Sequence, residues 1–114
     1  MALRIRTFPG DQETVLFCHG QIVRGEATSR LYGAIALQRT PSITLDLSNV
    51  DKIDGAGLGI LVIAHLCLQS VDQRLVLRSV QPRVLEVMEL TGLHRVLHVA
   101  DQADGAASAK GSAA

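Results

Sequence analysis

The order of strand-like and helix-like segments constrains this chain more than any other feature of its sequence. Leu3 to Phe8 alternates apolar and polar residues, and Thr14 to His19 is rich in β-forming residues. A turn signal at Pro9-Gly10 separates them, so we predict a hairpin whose second strand ends at Gly20. Helix-then-strand pairs follow, and this alternation is typical of α/β domains in which right-handed crossovers join parallel strands.

Periodicity and helix-ending residues assign the elements after the hairpin. The predicted elements are a helix over Glu26–Gln38, a strand over Ser42–Leu47, a helix from Ala56 or Gly57 to Val71, a strand over Arg74–Arg78, a helix from Pro82 to about Leu90 and a strand over Val96–Val99. The segment Ser48 to Gly55 is predicted to be a loop. The expected fold is a single α/β domain over residues 1–100, with a four- to five-stranded mixed sheet and helices packed against it.

Residue-level expectations for the third helix and the chain end complete this picture. In the third helix, Leu85 and Met88 are expected to be buried, with Val84 and Val87 on the flanks. Gly92 is expected to end that helix in a left-handed conformation. Residues 101–114 contain nothing large to bury, so we predict a disordered tail.

The balance of charged residues indicates which classes of partner the protein does not bind. The chain has 114 residues, with 11 Lys and Arg against 11 Asp and Glu. This neutral balance argues against nucleic acid or an anionic membrane surface as the partner. The longest apolar run is shorter than the roughly 20 residues that cross a bilayer, and the N-terminus does not resemble a secretory signal. We therefore expect a cytoplasmic protein that is a monomer or a weak dimer.

Side chains that could carry chemistry are poorly placed for it. Cys18 and Cys67 lie in apolar segments and are expected to be buried free thiols. His65 and Cys67 are two residues apart on a predicted helix and face different directions, so they do not form a nucleophilic pair. His94 and His98 lack a carboxylate or cysteine at metal-ligand spacing. We predict no catalytic residue, no metal, no cofactor and no enzymatic activity.

The most informative segment runs from the strand ending at Leu47 to the glycine-rich start of the second helix. Asp54 immediately precedes that helix, where a carboxylate can cap the free backbone N–H groups and complement the helix dipole. Gly55, Gly57 and Gly59 leave the backbone bare, so that another molecule can approach it closely. The alternative is that these glycines only allow the helix to pack tightly on the sheet.

This segment resembles the signature of STAS domains of the anti-sigma-factor antagonist type. The family pattern is a strand ending Leu-Asp-Leu-Ser, a short loop, and Asp-Ser-Ser-Gly-Leu-Gly opening a helix. The strand end matches at 45–48, and Asp54, Gly57, Leu58 and Gly59 match the helix start. A second block, at 82–84 and 90–93, is also similar to the family, and the order of elements agrees from Leu3 to Val99.

The resemblance implies a regulatory module that binds an anti-sigma factor or a related kinase-like ATPase. The partner-binding residues that it implies are Ser48, Asn49, Asp54, Gly55, Ala56, Gly57 and Leu58. In the family, a kinase-type anti-sigma factor phosphorylates the second serine of the motif and thereby releases the antagonist. The corresponding residue here is Ala56, and Gly55 replaces the neighbouring serine, so neither position can accept phosphate.

Three functional interpretations remain open at this point. The protein is an antagonist that phosphorylation at Ala56 does not switch, or a scaffold subunit of a larger signalling complex, or a sensor that binds a nucleotide or small anion at the helix start. Another hydroxyl could also replace the missing acceptor, and Ser48 and Thr91 are the candidates.

Overall fold

The computed structural model describes residues 2–100, which form five strands and three α-helices. The elements are β1 (Arg4–Pro9), β2 (Glu13–Ile22), α1 (Glu26–Ala36), β3 (Ser42–Ile53), α2 (Gly55–Gln69), β4 (Arg74–Arg78), α3 (Pro82–Thr91), a 3₁₀ turn (Leu93–Arg95) and β5 (His98–Val99). The disordered tail predicted for residues 101–114 lies outside the described residues.

The strands form one sheet in the order β1-β2-β3-β4-β5. The β1–β2 hairpin is antiparallel, and every other neighbouring pair is parallel. This confirms the predicted single α/β domain with a mixed sheet. The three α-helices form the connections between successive parallel strands, and α1 packs beside α2.

The two faces of the sheet differ in burial. On β2, Leu16, Cys18 and Ile22 are buried, whereas Phe17 and His19 between them are exposed. The buried set faces the helices, where Leu31 of α1 and Leu61 of α2 are fully buried. The side chains between the buried ones point to the opposite side of the sheet, which we call the open face. Strand pairing places the following residues of β1 to β4 on this face: Arg4, Arg6, Phe8, Phe17, His19, Asp46 and Arg78.

Strands β2 and β3 are longer than the sequence predicts. The second strand does not end at Gly20 but continues to Ile22, where it pairs with Ile53. The loop predicted over Ser48 to Gly55 is therefore wrong, since β3 runs through Ile53 and α2 begins at Gly55. The physical reason is that β2 offers backbone partners along its whole length, and this pairing overrides the polar composition of residues 48–52.

Two irregularities accommodate this long pairing. The β2–β3 register shifts between Phe17 and His19 and again between Gly20 and Gln21. Gly20 has a φ of 127°, and a Cβ there would lie 2.8 Å from the carbonyl oxygen of Ala2. Gly20 thus allows two backbone segments to approach closely inside the sheet. In the sequence, a glycine with this role cannot be distinguished from a glycine that ends a strand.

The last helix and strand show two further differences. Met88 is buried as predicted, and Val84, predicted to lie on the flank, is also buried. Leu85 is only partly buried, like Val87, so the expected burial of Leu85 was wrong. Residues four apart share one helix face, and that face carries Val84 and Met88. Gly92 adopts the predicted left-handed conformation, with φ 78°. A 3₁₀ turn follows it, which leaves β5 only two residues long.

The two cysteines have different environments. Cys18 is buried as predicted, but Cys67 is exposed on α2. Burial and the negative charge of Asp46 raise the pKa of the Cys18 thiol to about 12. Tyr32 of α1 lies across from Cys67, with its hydroxyl 3.5 Å from the sulfur.

Of the helices within residues 2–100, none is long and apolar enough to cross a membrane.

Candidate docking site at the start of helix α2

Asp54 links the start of α2 to the chain that follows β2. Its Oδ1 accepts a hydrogen bond from the Gly57 N–H at 2.8 Å, and its Oδ2 accepts one from the Arg24 N–H at 3.0 Å. The bonds from Arg24 and Gly57 hold the pKa of the Asp54 carboxyl below its ordinary value. The predicted cap is confirmed, and Asp54 also fixes the helix start to the neighbouring segment, which the sequence did not reveal.

The three glycines of the motif have different roles. A Cβ on Gly57 would collide with the carbonyl oxygen of Ile22 and lie 2.8 Å from Cγ1 of Ile53. Cβ atoms on Gly55 and Gly59 would meet nothing within 4 Å. Tight packing therefore explains Gly57, where α2 rests on the end of β2, and it explains neither of the other two glycines.

The residues around this packed glycine form a small surface above the core. Leu58 is 4% exposed and belongs to the core. Gly55 is exposed and Ala56 is partly exposed. No acidic side chain lies in the first turn of α2. The accessible part of this region is thus a helix start without bulky side chains, next to the Asp54 carboxylate. We call residues Asp54 to Leu58 the α2 start.

Ser48 and Asn49 lie elsewhere. Both are exposed residues of β3, and Ser48 precedes Asp54 by six residues, which corresponds to about 20 Å of extended strand. The structure therefore brings Asp54 to Leu58 together and leaves Ser48 and Asn49 apart from them. A partner contact at Ser48 or Asn49 stays a prediction that is separate from the α2 start.

Ser48 belongs to a polar cluster centred on Asp46. The Ser48 hydroxyl and N–H donate to Oδ1 of Asp46 at 2.6 and 3.0 Å. Arg78 of β4 donates from Nε and Nη2 to Oδ2 at 3.1 and 3.0 Å and forms an ion pair. Burial alone would raise the pKa of Asp46, but these bonds and the Arg78 charge outweigh it, so the pKa is lowered.

The sequence contains a signal for this ion pair. The predicted strands began at Ser42 and Arg74, and Asp46 and Arg78 each lie four residues further along. The observed parallel register aligns Ser42 with Arg74 and Asp46 with Arg78. Aligning the starts of two adjacent parallel strands would have placed the carboxylate beside the guanidinium.

The alternative phosphoacceptor and metal residues have local partners. The Thr91 hydroxyl donates to the carbonyl oxygens of Val87 and Met88, both at 3.0 Å. His94 Nδ1 lies 3.4 Å from the Met88 carbonyl oxygen. Within residues 2–100, no group of three or more His, Cys, Asp or Glu side chains is arranged to hold a metal ion.

Known proteins resemble this chain in sequence and in fold. Over 67 residues it is 36% identical to BtrV of Bordetella bronchiseptica, named as a candidate anti-sigma factor antagonist, covering 59% of this chain and 58% of BtrV. It is 35% identical over 60 residues to the anti-sigma-B factor antagonist of Staphylococcus aureus, covering 53% and 56% of the two chains. The chain thus spans a little over half the length of these curated relatives.

A solved structure supports the fold independently. The crystal structure of an anti-sigma factor antagonist from Mycobacterium paratuberculosis superposes with a TM-score of 0.74 at 22% identity, covering 91% of this chain and 90% of that one. At this identity the likeness concerns the fold alone. The family model described as "Mlab, STAS domain" matches residues 21–99, which include the last two residues of β2, all three α-helices, the strands β3 to β5 and the α2 start. The chain therefore belongs to the STAS domain family.

Proposed function

We propose that this protein is an anti-sigma-factor antagonist that binds a kinase-type anti-sigma factor, or a related kinase-like ATPase, through the α2 start. The observation that carries the proposal is the accessible helix start, where Asp54 caps α2 and the adjacent Ala56 is partly exposed. The resemblance to the family implies that its phosphoacceptor serine corresponds to Ala56. The names of the two curated relatives support it. The family acts by binding and is regulatory, so we infer no catalysis and no cofactor.

The chemistry of Ala56 implies that phosphorylation does not switch the protein at this position. A phosphoserine carries about −1.5 to −2 charges and would add this charge close to the Asp54 carboxylate. Ala56 has no hydroxyl, and the adjacent Gly55 has no side chain. We therefore infer that the α2 start is always competent to bind and that the amount of protein sets the extent of partner release.

Other hydroxyls are poor substitutes for the missing acceptor. Ser48 is about 20 Å of strand away, and its hydroxyl already donates to Asp46 at 2.6 Å. The Thr91 hydroxyl is directed to the backbone of its own helix. Phosphorylation of either would first break these bonds, so we infer that neither is the switch.

We further infer a cytoplasmic monomer or weak dimer that does not bind nucleic acid.

Affinity capture from the native cell lysate tests the proposal. We expect the tagged protein to retain a kinase-like anti-sigma factor, identified by mass spectrometry. Ala56→Glu places a carboxylate on the α2 start and is expected to abolish retention. Ser29→Glu is the matched control, because it adds the same charge at an exposed position near the start of α1 and should retain the partner. Equal retention by all three proteins would refute docking at the α2 start.

A kinase assay tests the absence of the switch separately. With the purified partner and ATP, the natural protein should gain no phosphate. Ala56→Ser places a hydroxyl at this partly exposed position and should become phosphorylated. Phosphate on the natural protein would show that another acceptor exists and would overturn the inference from Ala56.

A further inference from the structure

A groove on the open face of the sheet lies apart from the α2 start. Its volume is about 290 Å³, and its lining includes Arg4, Arg6, Phe8, Phe17, His19 and Asn49. These residues come from β1, β2 and β3, since Arg4 pairs with His19 and His19 pairs in turn with Asn49. All of them are exposed, so the groove is open to solvent.

Two aromatic rings lie between guanidinium groups on this face. The rings of Phe8 and Phe17 meet edge to face, with centroids 5.2 Å apart and an angle of 85°. The Arg6 guanidinium lies 5.4 Å from the centre of the Phe8 ring, and that of Arg78 lies 5.6 Å from the centre of the Phe17 ring. The row offers apolar ring surface with a cation at each end.

The two ends of the row differ in charge compensation. Arg78 is neutralised by Asp46 at 3.0 Å. Within residues 2–100, neither Arg4 nor Arg6 has a carboxylate within ion-pairing distance. The β1 end of the groove therefore carries two uncompensated guanidinium groups beside two aromatic rings, although the chain as a whole is neutral.

Two further polar side chains complete the lining. The structure shows no side-chain hydrogen bond for His19 or Asn49 within the described part of the chain. The register shift between Phe17 and His19 changes the β3 partner from Asp46 to Asn49, so the bulge brings the Asn49 amide level with His19. Guanidinium, imidazole and amide groups can all donate hydrogen bonds to one anion.

The dimensions set the class of ligand. Small-molecule sites begin at about 300 Å³, so this groove suits a compact ligand. Arg binds phosphate and carboxylate through paired N–H donors, and the Phe rings suit a flat apolar group. We propose that this groove binds a small organic anion that joins a phosphate or carboxylate group to a planar ring. The proposal does not depend on docking at the α2 start, because it uses none of those residues and shares only Asn49 with the predicted partner contacts.

A titration followed by amide resonances in NMR tests the proposal with three probes on the full chain. Phenyl phosphate supplies the anion and the ring, inorganic phosphate supplies the anion alone, and benzyl alcohol supplies the ring alone. We expect phenyl phosphate to bind most tightly and to shift the resonances of Phe17, His19 and Asn49. Absence of binding, or shifts confined to other residues, would overturn the proposal.

Paired variants separate this site from a general effect of charge. Arg4→Gln with Arg6→Gln should weaken phenyl phosphate binding by about tenfold or more, since charge-assisted bonds are lost. Arg39→Gln with Arg95→Gln removes the same charge from exposed positions outside the groove and should leave the affinity unchanged. Equal weakening in both double variants would show attraction by net charge and refute a built site.

Discussion

Gly57 and Gly59 lie two residues apart in α2, and the same substitution at each should change stability in opposite directions. Gly57→Ala places a Cβ against the Ile22 carbonyl oxygen and 2.8 Å from Ile53 Cγ1. A backbone carbonyl cannot shift without distorting the strand, so the loss in the free energy of unfolding should be near the top of the range for overpacking, about 3 kcal/mol. The better helix propensity of alanine returns at most about 1 kcal/mol, which leaves a net loss of about 2 kcal/mol.

Gly59→Ala has no such collision, because nothing lies within 4 Å of its Cβ position. Only the propensity gain applies, so we expect a rise of up to about 1 kcal/mol in the free energy of unfolding. For a domain of this size, each 1 kcal/mol shifts Tm by roughly 4–8 °C. Gly57→Ala should therefore lower Tm by about 8–16 °C, and Gly59→Ala should raise it by up to about 8 °C.

Thermal and urea unfolding followed by circular dichroism measure both effects. The pair controls itself, since each variant adds one methyl group to the same helix. If Gly57→Ala were as stable as the natural protein, the seating of α2 on the end of β2 would be wrong. If both variants lost stability equally, the explanation from packing would also be refuted, because Gly59 has open space around it.

Two further predictions concern titratable groups. Because the bonds from Arg24 and Gly57 lower the pKa of Asp54 in the folded state, its stabilising contribution is present above the unfolded pKa and is lost as pH falls through the folded value. In urea unfolding, Asp54→Asn should therefore be less stable than the natural protein at neutral pH, and the difference should shrink below about pH 4; a constant difference at every pH would contradict this. A thiol assay on the folded protein should detect fast reaction at the exposed Cys67 alone, because burial raises the pKa of Cys18 to about 12. Fast reaction that persists in Cys67→Ser would show that Cys18 is accessible.

The fold was predictable because local and global signals agree along most of the chain. Helix periodicity and helix-ending residues indicated the element order, and β4 begins and ends at the predicted residues, Arg74 and Arg78. The failures occurred where tertiary pairing decides. Residues 48–53 are polar enough to look like a loop, but β2 extends far enough to pair with them. Gly20 looked like a strand end because close backbone approach and chain termination both favour glycine.

The candidate site was partly predictable for similar reasons. The cap by Asp54 follows from sequence, because a carboxylate before a helix has N–H groups within reach. Its second bond, to Arg24, could not be foreseen, since it depends on where the chain after β2 passes. The different roles of Gly55 and Gly57 were also hidden, because only the position of Ile22 distinguishes them. The exposure of Cys67 escaped prediction because α2 is apolar on its outer side as well.

The two hydrogen bonds that Asp54 accepts have a consequence for the rate and affinity of the docking proposed at the α2 start. The Asp54 carboxylate binds both the helix start and the segment after β2. Gly57 has no side chain, so the helix start packs closely against the end of β2. A surface built in this way loses little conformational entropy on association, so encounter need not await a rearrangement of this protein. Differences in affinity among its partners should then appear in dissociation rates, set by how well each partner's own surface fits a shape that does not adapt.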